Sequence, residues 1–188
     1  ITLDHIGYDA IENTKLNQPF LDRGKSLNAL RHEKLGLGNH AIAMAAGPSL
    51  YKIKAIEQII AHKYKGAIIT TESALYYCLR NGIVPDLVVS CDPHNTRIVR
   101  WFGDPNLSKE TMEADDYYER QDMDPAFADQ LKTNEKIYEL LNLHGKNMRI
   151  ALATSSAQSV VQRVLESGME IYWWNPMYDD PDISDGLT

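Results

Sequence analysis

"HAIAMAAGPSLYKIKAIEQI", His40 to Ile59, decides the fold of this chain. The apolar run Ala41 to Ala46 predicts a short buried strand, and Ile53, Ile56, Ile59 and Ile60 then recur at helical spacing. Strand gives way to helix across Gly47-Pro48-Ser49. Gly47 lets the backbone turn sharply and come close to a ligand, Pro48 fixes φ, and Ser49 is placed to cap the helix. A helix start of this kind attracts anions through its free N–H groups and its dipole. Pro48 removes one donor, however, and the glycines are few. Taken alone, the turn reads equally as a phosphate contact or as a turn with a cap.

The same beat continues along the chain. "GAIITT" (from Gly66) is a strand, "SALYYCLRNG" (from Ser73) a helix closed by Asn81-Gly82, and "PDLVVSCD" (from Pro85) a strand. "MRIALATSS" (from Met148) and "MEIYWWN" (from Met169) are two more strands. Between them lies a helix with Val160, Val161, Val164 and Leu165 on one face. The strands are continuously apolar, as parallel strands covered on both faces are. The expected fold is α/β: a Rossmann-like, doubly wound, mainly parallel sheet of about five strands flanked by helices. Residues 1–38 read as a helical lead-in and 39–176 as a nucleotide-binding domain with a charged insertion at about 103–128. Residues 177–188 read as a polar, truncated tail.

The chain of 188 residues suits one domain with a short appendage, and 44% hydrophobic with 24% charged residues suits a packed core. A net charge of -7 leaves no broad basic surface for nucleic acid or anionic lipid, so small molecules or proteins are the expected partners. No window approaches the ~20 apolar residues of a membrane span. Cys78 and Cys91 lack CxxC spacing and read as small buried apolar residues, consistent with a cytoplasmic location.

In open α/β sheets ligands gather outside the carboxyl ends of the strands. Those ends are Gly47-Pro48-Ser49, Thr70-Thr71-Glu72-Ser73, Asp92-Pro93-His94-Asn95, Thr154-Ser155-Ser156 and Asn175. Asp92 could bind a divalent ion, accept a proton, hold a ribose hydroxyl or cap a turn. His94 stands two residues on, and Arg97 and Arg100 could meet phosphate or remain solvated. Thr154 and Ser155 could bind a ligand or start a helix. Asp86, at the opposite end of its strand, reads as structural.

"AAGPSLYKI" (from Ala45) and "ITTESALYYCLRNGIVPDLVVSCD" (from Ile69), with the spacing between them, resemble the motility accessory factor domain family. That family includes the archaeal 6-hydroxymethylpterin pyrophosphokinase-like proteins and is similar in fold to bacterial sialyltransferases. The resemblance implies a nucleotide-using transferase. The first expectation is a glycosyltransferase that takes a CMP-activated nonulosonic sugar to a protein or glycan acceptor such as flagellin. The alternatives are a pyrophosphokinase using ATP and Mg2+ on a pterin alcohol, and a noncatalytic binding domain. On this resemblance Gly47, Pro48, Ser49, Thr71, Ser73, Thr154 and Ser155 hold nucleotide, and Asn95 and Arg97 meet substrate. Asp92 or His94 serves as base, and Asp92 as the metal ligand of the kinase alternative. The chain stops before the family's glycine-rich loop, so incomplete activity is expected of it.

Overall fold

The computed structural model describes residues 2–114 and 129–176, with side chains from residue 7 onward. Residues 115–128 of the expected insertion and the tail at 177–188 lie outside the described residues. Six parallel strands form one sheet: β1 (Lys25–Ser26), β2 (Ala41–Met44), β3 (Ala67–Thr71), β4 (Leu87–Ser90), β5 (Arg149–Ala153) and β6 (Glu170–Trp174). Their order is β1-β6-β5-β4-β3-β2. The helices are α1 (Thr2–Asn17), α2 (Pro48–Lys52), α3 (Ala55–Ala61), α4 (Glu72–Leu79), α5 (Lys109–Glu113), α6 (Gln130–His144) and α7 (Gln158–Ser167). Val99–Phe102 is a 3-10 turn. This is a Rossmann-like α/β fold. The strand beyond the expected five is β1, which has only two residues and so leaves no readable pattern.

Register explains the core. Ile68, Val88, Ile150 and Ile171 project to one side of neighbouring strands. There Val88, Ile150 and Ile171 meet Leu75 and Leu79 of α4, Leu141 of α6, and Val160, Val161 and Val164 of α7. A second cluster joins Ile68 and Met44 to Ile56, Ile59, Tyr77 and Cys78. On the other side, Ala151, Ala153 and Tyr172 are buried, whereas Ile69 and Val89 are half-buried and Ala41 and Ala43 exposed. Burial on that side is therefore uneven, although the apolar strands lead one to expect both faces covered.

The helix after Gly47 differs from expectation. Proline suits the first helical position, since its missing N–H would have no partner there. Pro48 accordingly opens α2, Gly47 flanks it, and no side chain caps it. Ser49 is thus not the cap. Lys54 adopts the left-handed conformation at φ 52° and separates α2 from α3. The break turns Ile53 out to solvent while Ile56 and Ile59 pack inward.

Arg163 ties the helical layer together. Its guanidinium is 1% exposed and donates to the carbonyls of Phe102, Gly103 and Tyr138 and to Asn142 Oδ1, at 2.7–3.2 Å. The Tyr138 ring lies 4.3 Å from it. Gly103, at φ 78°, permits this approach, because a Cβ there would stand 2.6 Å from the Tyr138 backbone. At the amino ends of the strands Asp86 accepts from the N–H groups of Gly36 and Ile68, at 3.2 and 2.8 Å. Asp86 is structural, and it anchors the lead-in under the sheet.

Candidate functional site at the carboxyl ends of the strands

The strand order sets Gly47, the Thr71 to Ser73 turn and Asp92 at the carboxyl edge of β2, β3 and β4, with Thr154 following β5. Adjacent strands are about 4.8 Å apart, so Gly47 and Asp92 are separated by two steps, roughly 10 Å. Gly47 has an extended backbone at φ 178°, which any residue adopts. Its special property is space, since the nearest atom to an added Cβ is Ser49 Oγ at 3.9 Å. Ser49 is exposed. The Thr71 and Ser73 hydroxyls lie 3.0 Å apart and hydrogen-bond to each other at the start of α4.

Glu72, between them, is the residue that reading the strand ends underrated. Burial, aided by the charge of Asp92 and opposed by a backbone hydrogen bond, pushes its carboxyl group up. The two carboxyl groups stand at the ends of neighbouring strands, β3 and β4. Asp92 Oδ1 accepts from the His94 N–H at 2.9 Å, the turn-capping geometry open to an Asp followed by proline. His94 Nδ1 in turn accepts from the Thr96 N–H at 3.3 Å. Cys91, beside Asp92, is exposed and not buried as expected. The residue follows the last residue of β4 and so escapes the sheet. Its sulfur is still partly desolvated, and this, followed by the Glu72 and Asp92 charges, pushes the thiol up.

Thr154 and Ser155 stand apart from this cluster. They are buried under α1, where Asn17 Nδ2 donates to the carbonyls of Thr154 and Ser156, at 2.9 and 2.6 Å. Asn13 Nδ2 donates to the carbonyls of Pro93 and Ser155, at 2.9 and 3.1 Å. Asn13 and Asn17, one helical turn apart, were the readable signal of this latch. Asn95 is exposed, and its carbonyl accepts from Ser159 Oγ. Arg97 is half-buried beyond it.

A cavity of about 640 Å3 opens beside the strand ends, lined in part by Gly47, Pro48 and Ser73 and walled by Tyr76, Tyr77 and Trp101. It thus joins three of the expected nucleotide-binding residues, while Thr154 and Ser155 do not line it. Among the described residues no group of three or more His, Cys, Asp and Glu is gathered as a metal cage. No helix among them is long and apolar enough to cross a membrane.

The model of one protein family, described as 6-hydroxymethylpterin diphosphokinase MptE-like, matches residues 12–110, just over half of the chain. The chain belongs to the MptE-like family. The match takes in the end of α1, with Asn13 and Asn17, and every strand end from Gly47 to Asp92. It bears out the resemblance carried by G-P-S-L and the stretch from Ile69 to Asp92. It lends no support to kinship with sialyltransferases or to a CMP-sugar donor. No curated protein matches this MptE-like chain.

Proposed function

We propose that the chain is a nucleotide-dependent transferase that moves a diphosphate group from ATP to the hydroxymethyl group of a pterin. The observation that carries the proposal is the half-buried Glu72 carboxyl near Asp92, at adjacent strand ends of a chain whose family description names a 6-hydroxymethylpterin diphosphokinase. Magnesium in phosphoryl-transfer sites is held by one or two carboxylates plus substrate phosphates, so a complete protein cage is not required. Asp92 fits that need, since only its Oδ1 accepts a hydrogen bond among the described residues. Asp92 would hold the ion, which would supply charge neutralisation for the transferring phosphates.

The remaining roles belong to the chain's own groups. The open backbone at Gly47 and the exposed Ser49 hydroxyl receive donor phosphate, with Thr71 and Ser73 beside them. With Nδ1 engaged by the Thr96 N–H, His94 has Nε2 left to meet a phosphate. Glu72, with its carboxyl pushed up, is better suited to take the acceptor proton. The acceptor oxygen attacks the β-phosphorus of ATP, the bond from that phosphorus to the α–β bridging oxygen breaks, and AMP leaves. Glu72 receives the hydroxyl proton.

The test is to incubate the full chain with ATP, Mg2+ and 6-hydroxymethylpterin and to follow AMP. Release that requires all three is expected. No AMP, together with stabilisation by CTP or CMP in the absence of metal, would replace this proposal with the CMP-sugar transferase.

A further inference from the structure

The cavity walled by α4, the 99–102 turn and α6 reaches well beyond what phosphate contacts use. Tyr76 and Trp101 supply flat apolar faces, and Ile137 of α6 adds aliphatic surface. The Arg80 and Arg100 guanidinium groups also line it, each stacked on a ring, Arg80 5.0 Å from Tyr77 and Arg100 4.6 Å from Trp101. No Asp or Glu lines the cavity among the described residues. A cationic ligand would therefore meet like charge from the described lining.

Gln130 gives the cavity a directional group. Its side chain lines the wall, is 9% exposed, and its Nε2 has no hydrogen-bond partner among the described residues. A buried amide donor without a partner is costly, so an occupant that offers an acceptor gains by meeting it. An aliphatic ligand would leave it unmet. Aromatic walls favour a ring with two flat faces.

From this we infer that the cavity binds a planar nitrogen heterocycle that carries no positive charge, packed against the Tyr76 and Trp101 walls, with a ring carbonyl or ring nitrogen accepting from Gln130 Nε2. This rests on the transferase proposal, because Gly47 and Ser73 join the cavity to the phosphate edge. Two sources share the chemistry: the ring of the acceptor alcohol and the base of the donor nucleotide.

Calorimetric titration of the full chain tests it with three probes: 6-hydroxymethylpterin, ATP with Mg2+, and inorganic diphosphate with Mg2+. Gln130→Leu keeps side-chain volume and removes the donor, and Trp101→Ala removes a wall. Each variant is expected to weaken one of the two heterocycles roughly ten- to hundredfold while diphosphate affinity stays within about twofold. Loss for the pterin assigns the cavity to the acceptor, and loss for ATP alone assigns it to the donor base. If Trp101→Ala proves poorly folded by melting temperature, Gln130→Leu decides alone. No heterocycle binding, or binding indifferent to Gln130, overturns the inference. Failure of diphosphate to bind the wild-type chain instead overturns the phosphate roles of Gly47, Ser49 and Asp92, and the heterocycle titrations still decide the cavity.

Discussion

Replacing Arg163 with Met keeps an unbranched apolar stem and removes the guanidinium. Three backbone carbonyls and the Asn142 amide oxygen then lose their donor inside the protein. A hydrogen bond from a charged group contributes about 1.5–3 kcal/mol, and each orphaned buried acceptor costs about 1–3 kcal/mol. These terms overlap, and removing the buried charge returns part of its desolvation cost. The net loss is expected at about 3–5 kcal/mol. For a chain of this size each kcal/mol moves the midpoint by about 2–4 °C, so thermal unfolding followed by circular dichroism should show a fall of about 10 °C. Because the carbonyls of Phe102 and Gly103 join the 99–102 turn to α7, the variant should also loosen the Trp101 wall and broaden its fluorescence. A midpoint within about 2 °C of the wild type would refute the claim that Arg163 is the tie.

The other expectations concern the strand ends. Glu72 holds its proton more tightly folded than unfolded, so its contribution to stability is full below its ordinary value near 4.5 and is lost as pH rises through the folded value. Glu72→Gln should therefore match the wild type in denaturant midpoint at low pH and exceed it increasingly toward pH 7, while AMP formation is lost; parallel pH profiles would sink this account. Ser49→Ala removes no cap and should leave stability within about 0.5 kcal/mol while weakening diphosphate binding, so a clear drop in melting temperature counts against the corrected helix start. Asp92→Asn retains an acceptor for the His94 N–H and should fold, yet lose magnesium-dependent ATP binding in calorimetry; unchanged binding removes Asp92 as the metal ligand. Cys91 should react with iodoacetamide at pH 8 more slowly than a free thiol, since burial and two carboxylates oppose its thiolate, and an equal rate refutes that environment.

Most of the sheet could be read directly because β3 to β6 are apolar, β-rich and bounded by Gly, Pro or Asn. β1 could not, since Lys25 and Ser26 are exposed and owe their pairing to β6 rather than to their own propensity. The Gly47 turn was legible as a turn, but the cap was misplaced because Pro48 takes the first helical position. Of the strand-end residues, Gly47, Pro48 and Ser73 do share a cavity. Thr154 and Ser155 do not, because Asn13 and Asn17 reach them from about 140 residues away in sequence. Glu72 was visible but had no distinguishing neighbour until the sheet set Asp92 next to it. Gln130 and Trp101 belong to separate elements whose meeting depends on the fold.

The pairing of Lys25 with Tyr172 and of Ser26 with Trp173 bears on how the protein is made. At about 5–20 residues per second, a ribosome needs roughly 7–30 s between these partners. The β2, β3 and β4 unit closes through short crossovers and can form well within that interval. For most of it Asn17 has no Thr154 or Ser156 carbonyl and Asn13 no Ser155 carbonyl to meet, and the nascent sheet has an open edge where β5 and β6 will dock. Synthesis thus leaves α1 waiting for β5 and β6.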